Sequence, residues 1–365
     1  MKIVYSAPDV SVSDAHGGSV HVKGVIDSFK RLGHDITLIE RKSDIKAFRN
    51  TAYCFLWPLF YTSYLCLFNK VDLIYERARI FGGGAILAGK LFGKKTIYEY
   101  IEPCVELPIL TGEIKQPLTS LLRVHSRIVN YYSDVITITH ENMTKGLPKD
   151  KCIMITTGTY PERFKPAEDD GKTILYIGSF APWHAVENMI KAMKVVNEKY
   201  PKAKLVLVGS VGKETLDKCE QLTKELRLET NIIFSGKVSQ EDVPNIISKA
   251  TICLALFDKN YLPFREFDYY YSPIKVHEYK ACGKPTIASD MGTLKDLVKN
   301  NENGLLVDES NIGEISSAII KLLKNKKLRA KMGAINRQEV LEKYNWDYVN
   351  KQILNRLDLV NKRSL

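Results

Sequence analysis

Apolar residues recur along this chain in two rhythms that alternate through most of its length. Short apolar runs, the pattern of strands buried on both faces, fall at Ile3–Ser6, Ile36–Glu40, Leu73–Glu76, Thr96–Glu99, Val135–Thr139 and Cys152–Ile155. Between them, apolar positions at helical spacing predict helices over Val20–Leu32, Gly84–Phe92 and Leu118–Tyr131. The rhythm stops at Thr156–Lys172, where Gly158, Pro161, Pro166, Asp169, Asp170 and Gly171 read as a linker whose aspartates sit in a solvated turn.

It then restarts. Strands are predicted at Thr173–Ile177, Lys204–Val208, Ile232–Phe234, Ile252–Leu256, Thr286–Ala288 and Gly304–Val307. Helices are predicted at Val186–Tyr200, Glu214–Leu226, Asp242–Ala250 and Ile312–Lys324. The last stretch, Lys326–Leu365, reads as helical, with its Lys and Arg residues on a solvated face. Strands alternating with helices imply parallel sheets covered on both sides, with ligand sites at the carboxyl ends of the strands. At 365 residues the chain exceeds the usual size of one core, so two such domains are expected.

One segment departs from both rhythms. Thr51–Phe68 holds no charged residue and is flanked by Arg49 and Lys70. Pro58 and several hydroxyl-bearing residues dilute it, and strands flank it on both sides, which disfavours a membrane span. It reads first as a buried helix or helix pair. The alternative is a monotopic surface, a peripheral membrane contact through residues 51–68.

Charge refines the picture without redirecting it. The net charge of +11 is shared between the two halves, which argues against a basic arm and against nucleic acid as a partner. It suits an enzyme handling anionic diphosphates, near an anionic membrane surface. The seven cysteines form no C-x-x-C pair and read as reduced thiols in apolar runs. Lys2-Ile3-Val4-Tyr5-Ser6 reads as a strand rather than a signal peptide, so a cytoplasmic location is expected, peripheral at the inner face of the cell membrane.

Several motifs tempt and fail. Gly84-Ala85-Ile86-Leu87-Ala88-Gly89-Lys90 follows the P-loop pattern until Leu91 stands where a magnesium-binding hydroxyl belongs, and its interior is helix-forming. Gly82-Gly83-Gly84 lacks the remaining features of a dinucleotide fingerprint. No His or Cys pair has zinc spacing, so neither a metal nor a resident cofactor is expected.

Three strand–glycine–helix junctions carry more weight. Ser13-Asp14-Ala15-His16-Gly17-Gly18-Ser19 leads into the first helix, and Tyr176-Ile177-Gly178-Ser179-Phe180-Ala181-Pro182-Trp183-His184 stands at the same place in the second half. Glycines before a helix let backbone amides approach an anion. The third runs from Tyr269-Tyr270-Tyr271 through Ser272-Pro273-Ile274-Lys275-Val276-His277-Glu278 to Gly283-Lys284-Pro285. Pro273 suits the first helical turn, and Gly283 suits the end. The free amides and Lys275 would face a diphosphate, and Glu278 would accept from ribose hydroxyls. A capped helix whose Lys and Glu merely face water has the same spacing.

The run Ser272–Gly292 resembles the donor motif of retaining glycosyltransferases of family 4, in the subgroup with Ser-Pro-x-Lys-x-x-Glu. Gly17-Gly18, Tyr75-Glu76-Arg77, Tyr98-Glu99-Tyr100-Ile101-Glu102-Pro103, Thr157-Gly158-Thr159, Phe164-Lys165-Pro166 and Tyr344-Asn345-Trp346 are similar to further segments of that family, in order along nearly the whole chain. The resemblance implies an α/β GT-B fold of two Rossmann-like domains with parallel sheets facing a central cleft. Residues 1–164 would form the acceptor domain and 165–340 the nucleotide-sugar donor domain, with a helix over 341–365 returning to the N-terminal domain.

It also implies a metal-independent, retaining sugar transfer from a nucleotide diphosphate sugar, the co-substrate, to a saccharide or lipid-linked acceptor in glycolipid or surface-polysaccharide assembly. Lys275, Glu278 and His184 are the expected catalytic residues. Gly17, Gly18, Gly178, Ser179, Tyr270, Ser272 and Ile274 join Lys275 and Glu278 as donor-binding residues, and His16, Arg77 and Glu102 lie on the acceptor side. The sequence departs from the family where Tyr270 replaces the first glutamate of Glu-x7-Glu, where Ser179 and His184 replace an Arg and a Lys, and at Ile101, where many members have His or Asn. These departures keep two alternatives in view: a nucleotide-sugar-binding subunit without turnover, and a same-fold epimerase or phosphorylase.

Overall fold

A computed structural model describes residues 1–14, 17–41 and 51–362 of the chain. They form two compact units, Met1–Gly158 with Tyr270–Ser272 and Trp346–Leu365, and Thr159–Tyr269 with Pro273–Asn345. Each is a parallel six-stranded sheet, and the twelve predicted strands all form, displaced at most a residue or two at their ends.

The first unit contains β1 (Lys2–Ala7), α1 (Gly17–Arg31), β2 (Asp35–Glu40), α2 (Thr51–Phe68), β3 (Leu73–Arg77), α3 (Gly84–Leu91), β4 (Lys95–Glu99), α4 (Glu106–Leu110), α5 (Leu118–Tyr132), β5 (Val135–Ile138) and β6 (Cys152–Met154). Its strand order is β2-β1-β3-β4-β5-β6. The chain winds outward from β1 to β2, then crosses back to β3 and onward. Right-handed crossovers therefore put α1 on one face of the sheet and α2, α3 and α5 on the other. The central strands are apolar on both sides, as they must be when both are covered, and Tyr5 of β1 stands opposite Tyr75 of β3.

The segment with P-loop spacing is a packing device. A Cβ on Gly84 would lie 2.0 Å from the Phe55 carbonyl oxygen of α2, and one on Gly89 would lie 2.6 Å from Ile74 of the sheet. The two glycines let α3 sit between α2 and the strands. Its N-terminal amides are already taken, because the Glu76 carboxylate accepts from Gly83 N and Ile86 N, each at 2.9 Å. Burial raises Glu76 to about 7 despite these amides.

Thr51–Phe68 is one helix, half sunk and half exposed, rather than the buried helix or helix pair its composition suggests. Cys54, Pro58, Thr62 and Leu65 are buried, while Leu56, Phe60, Tyr64, Leu67 and Phe68 are exposed. Among the described residues, no helix is long and apolar enough to cross a membrane.

The second unit contains β7 (Thr173–Ile177), α6 (Val186–Lys199), β8 (Lys204–Val208), α7 (Lys213–Glu225), β9 (Ile232–Gly236), α8 (Val243–Lys249), β10 (Ile252–Ala255), α9 (Leu262–Phe267), α10 (Ile274–Ala281), β11 (Thr286–Ser289), α11 (Leu294–Leu297), β12 (Gly304–Val307), α12 (Ile312–Lys324) and α13 (Lys326–Glu342). Its order, β12-β11-β10-β7-β8-β9, is the doubly wound dinucleotide-fold order. The short helices α4, α9 and α11 went unread in the sequence because each is too brief to show a period.

The C-terminal stretch divides at Lys343–Asn345 into α13 and α14 (Trp346–Lys362). The polar face of α13 is not simply solvated. Arg329 is buried and donates to Leu322 O and Leu323 O while pairing with Asp169 at 3.1 Å. Arg337 donates to Phe164 O, Pro161 O and Ala281 O. The predicted linker is thus tied down from Pro161 to Asp169, because its carbonyls and carboxylate satisfy guanidinium donors. Asp170 caps its own turn, accepting from Lys172 N and Thr173 N. In the first unit α14 lies on α1, where Gly24 leaves room for the Trp346 ring, and Arg31 pairs with Asp347 at 2.7 Å.

Gly84→Val tests the packing role of the glycine-rich segment. Overpacking against the α2 backbone is expected to destabilise the protein by about 1–3 kcal/mol in chemical denaturation. Gly93→Asn, at a left-handed position with nothing within 4 Å of a Cβ, is expected to cost well under about 1 kcal/mol.

Candidate active site

In a doubly wound sheet, the direction of winding reverses at one pair of neighbouring strands, and ligands bind beyond their carboxyl ends. In the second unit that pair is β7 and β10. Gly178 leaves β7 with φ of 154°, and its amide donates to Val208 O. A Cβ there would lie 2.5 Å from Lys275 Nζ and 2.8 Å from Tyr176 Oη, so only glycine leaves the lysine its place.

Lys275 stands on the first turn of α10. Its Nζ lies 4.4 Å from the centre of the Tyr176 ring and 5.2 Å from that of Phe257. The ammonium nitrogen is buried, and it has no hydrogen-bond partner among the described residues. Two ring faces compensate only part of what water would supply. Burial therefore lowers Lys275 to about 7, with Glu278 opposing the shift. Glu278, on the next turn, is raised by burial to about 8 against the pull of Arg163 and Lys275.

His184 completes this cluster. Its Nδ1 lies 3.4 Å from Ser179 Oγ, and its ring packs on Phe257 and Tyr176. Burial, then the neighbouring Lys275, push its pKa down to about 2, so the imidazole is neutral. Phe257 is fixed from β11, since Ser289 Oγ accepts from its amide at 2.9 Å and donates to its carbonyl at 3.0 Å.

Gly178, Ser179, His184, Ile274, Lys275 and Glu278 thus all belong to one unit and to the end of one sheet. Pro273 precedes the helix as its cap instead of occupying the first turn, so Ile274 and Lys275 supply the first helical amides. Gly283 ends α10 with φ of 64°, as its position predicts.

In the first unit the winding reverses between β1 and β3. Asp9 follows β1, Arg77 ends β3 with Arg79 just beyond, and Glu102 follows β4. Asp9 Oδ2 lies 3.3 Å from Arg77 Nε and 3.5 Å from Arg79 Nε, and Arg79 Nη1 donates to Glu102 Oε1 at 3.0 Å. The other Asp9 oxygen is buried without a hydrogen-bond partner among the described residues.

Beneath this layer Glu99 receives Tyr75 Oη at 2.7 Å, Tyr5 Oη at 3.2 Å and His21 Nε2 at 2.9 Å. Burial raises its pKa, but His21, Arg77 and Tyr75 outweigh burial and hold it at about 2.

Sequence reasoning named Arg77 and Glu102 and missed Asp9, Arg79, Glu99 and His21 as a group. The available signal was position: Asp9 and Arg79 each stand just past a buried strand. Gly17 and Gly18 are the first two residues of α1, and nothing lies within 4 Å of a Cβ on Gly17. His16 lies outside the described residues. Tyr270 and Ser272 group with the first unit. Thr139 Oγ1 donates to the Tyr270 carbonyl, and Thr157 N donates to Ser272 Oγ at 2.8 Å, with Thr156 Oγ1 2.7 Å away. Among the described residues no group of three His, Cys, Asp or Glu could hold a metal ion.

Comparison with known proteins adds to this geometry. Residues 161–339 match the family model of glycosyl transferases group 1. An uncharacterised glycosyltransferase of Methanocaldococcus jannaschii is 26% identical over 223 residues, 57% of this chain and 54% of the relative. The chain spans about half the length of most curated relatives it matches. Among solved structures, sucrose-phosphate synthase from Thermosynechococcus elongatus aligns over 99% of both chains with a TM-score of 0.78 and 18% identity. Anabaena HepE, solved in complex with UDP and glucose, aligns over 98% of this chain and 99% of its own with a TM-score of 0.72 and 14% identity. The second unit thus matches the group 1 glycosyl transferases, and the chain as a whole has the GT-B fold of these structures.

Proposed function

We propose that the protein transfers a sugar from a nucleotide diphosphate sugar to a hydroxyl of a saccharide or lipid-linked acceptor, with the anomeric configuration retained. The observation that carries this reading is the Lys275 ammonium, buried without a hydrogen-bond partner at the reversal point of the second sheet. Such a group is costly unless an anion completes it. The group 1 match over the same unit and the HepE complex with UDP and glucose support a nucleotide sugar as that anion's source.

In this reading the diphosphate meets Lys275 Nζ and the first amides of α10, and Gly178 lets the backbone approach closely. The Glu278 carboxylate accepts from the ribose hydroxyls. His184, neutral and with Nδ1 turned to Ser179, offers Nε2 as a hydrogen-bond partner to a sugar hydroxyl. The acceptor binds at the end of the first sheet, where Asp9 accepts a hydroxyl hydrogen bond and Arg77, Arg79 and Glu102 hold that carboxylate in position.

Transfer breaks the bond between the anomeric carbon and the phosphate oxygen and forms one to the acceptor oxygen on the same face. The departing phosphate takes the acceptor proton. Catalysis then rests on fixed charge at the leaving phosphate and on positioning, without a metal ion.

A thermal-shift screen of UDP-, GDP-, ADP- and CMP-sugars, followed by mass analysis with candidate acceptors, tests the activity directly. Stabilisation by none of the four groups would sink the reading, and binding without transfer would reduce it to a donor-binding protein. Incubation with EDTA is expected to leave transfer unchanged.

Lys275→Met is expected to weaken donor binding roughly 10–100-fold, the worth of a charge-assisted contact, while raising the melting temperature of the ligand-free protein by a few degrees. That opposite movement separates a functional lysine from a structural one, whose removal lowers both. The pH dependence has a defined sign. The ammonium is lost above about 7 in the free protein, so a diphosphate should bind more weakly as pH rises through that value, by up to tenfold per unit. In Lys275→Met that contribution should vanish.

Asp9→Asn is expected to raise the acceptor KM about tenfold while leaving the calorimetric donor affinity unchanged. An equal loss of donor affinity would remove Asp9 from the acceptor side.

A further inference from the structure

In the first unit α2 and α5 lie on the same face of the sheet, and each turns an apolar strip outward. On α2, Phe60, Leu67 and Phe68 are 65%, 64% and 71% exposed, and Leu56 and Tyr64 extend the strip along the same side of the helix. On α5 the outward residues include Leu121, Val124, Ile128 and Tyr131. The two helices touch where the Phe55 ring packs edge-on against His125, with centroids 5.4 Å apart. The α2 strip alone presents on the order of 500 Å² of apolar surface, and monomeric soluble proteins rarely leave that much contiguous apolar area without a use.

The charges carried by the two helices themselves are of one sign. Neither α2 nor α5 contains an aspartate or glutamate, whereas α5 carries exposed Arg127 and an exposed Arg123 that pairs with Glu106 of α4 at 2.9 Å, and exposed Lys70 and Lys115 lie beside the helices, with exposed Glu113 near Lys115. Lys151 rests over the Tyr131 ring at 5.4 Å. The aromatic side chains are the kind that settle at the depth of lipid headgroups: Trp57 and Tyr61 stack at 5.0 Å, and Tyr64 and Phe68 touch at 5.0 Å.

We infer that the outer faces of α2 and α5 dock the protein on an anionic lipid bilayer, with the apolar strips in the headgroup–acyl boundary and Lys70, Lys115 and Arg127 against the acidic headgroups. A second copy of the chain fits this face poorly, because a self-complementary contact would bring the same cations together without an acidic residue from either helix between them. The inference stands apart from the assignment of the donor and acceptor sites, since none of those residues lies on α2 or α5.

Flotation of the full chain with lipid vesicles tests it. The protein should float with vesicles containing about one-third phosphatidylglycerol at least tenfold more than with pure phosphatidylcholine, and 0.5 M salt should remove most of that difference. Phe60→Glu combined with Leu67→Glu should abolish flotation while leaving the melting temperature unchanged, both sites being exposed. Lys70→Ala and Arg127→Ala should each weaken binding to the acidic vesicles about fivefold. Absence of flotation with acidic vesicles, or flotation indifferent to the glutamates, overturns the proposal. A dimer in sedimentation that the same glutamates dissociate, without vesicle binding, assigns the face to a second copy and overturns it equally.

Discussion

The right-handed crossover of every strand–helix–strand unit governs both sheets. Each chain segment winds outward from a first strand, returns, and winds the other way, so the covering helices change faces once. At that reversal the loops leaving two adjacent strands diverge to opposite sides. In the second unit the reversal falls between β7 and β10, which puts Gly178 and Phe257 side by side. Beyond α9, helix α10 then delivers Lys275 over them. In the first unit it falls between β1 and β3, which brings Asp9 together with Arg77 and Arg79. The two clusters, one in each unit, are products of one topological rule applied twice.

At these strand ends the protein buries ionisable groups in two different ways. Glu99 is surrounded by two tyrosine hydroxyls, His21 and Arg77, and its partners more than offset burial. Such a network holds itself together and needs nothing from outside. Lys275 has ring faces and a distant carboxylate, and burial wins over both. Removing a carboxylate like Glu99 would strand its partners, whereas removing an ammonium like Lys275 relieves a penalty. In the proposed reading, that contrast separates a residue that specifies the fold from one that awaits a ligand.

The sequence was most legible where burial is complete. Strands such as Thr173–Ile177 and Gly304–Val307 are apolar on both faces and bounded by polar or glycine residues, and their limits fall where the pattern puts them. It was least legible where a pattern has two physical causes. The composition of α2 is that of a buried helix, and only the structure shows that half of it faces outward. The arginines of α13 read as surface charges, yet Arg337 satisfies linker carbonyls and Arg329 pairs with the linker's Asp169 while satisfying carbonyls at the end of α12. Around the candidate site, Lys275 and Glu278 were readable because they are local to one helix turn. The pairing of Asp9 with Arg77 and Arg79 depends on the adjacency of β1 and β3, which no spacing along the chain reveals.

The same adjacency explains why α2 and α5 have surface to spare. Three helices share one face of the first sheet, and the middle one, α3, is short and buries only Gly, Ala and Ile residues. Gly84 lets α2 approach until its backbone would touch a Cβ, and Gly83 makes equal room for Val129 of α5. The outer helices therefore close over α3 with small contact faces: Cys54, Pro58, Thr62 and Leu65 of α2 suffice. Core packing does not require Phe60, Leu67 or Phe68, and left in water they cost solubility without adding stability. In the proposed docking, the side of α2 that its core does not use meets a second solvent, the lipid boundary.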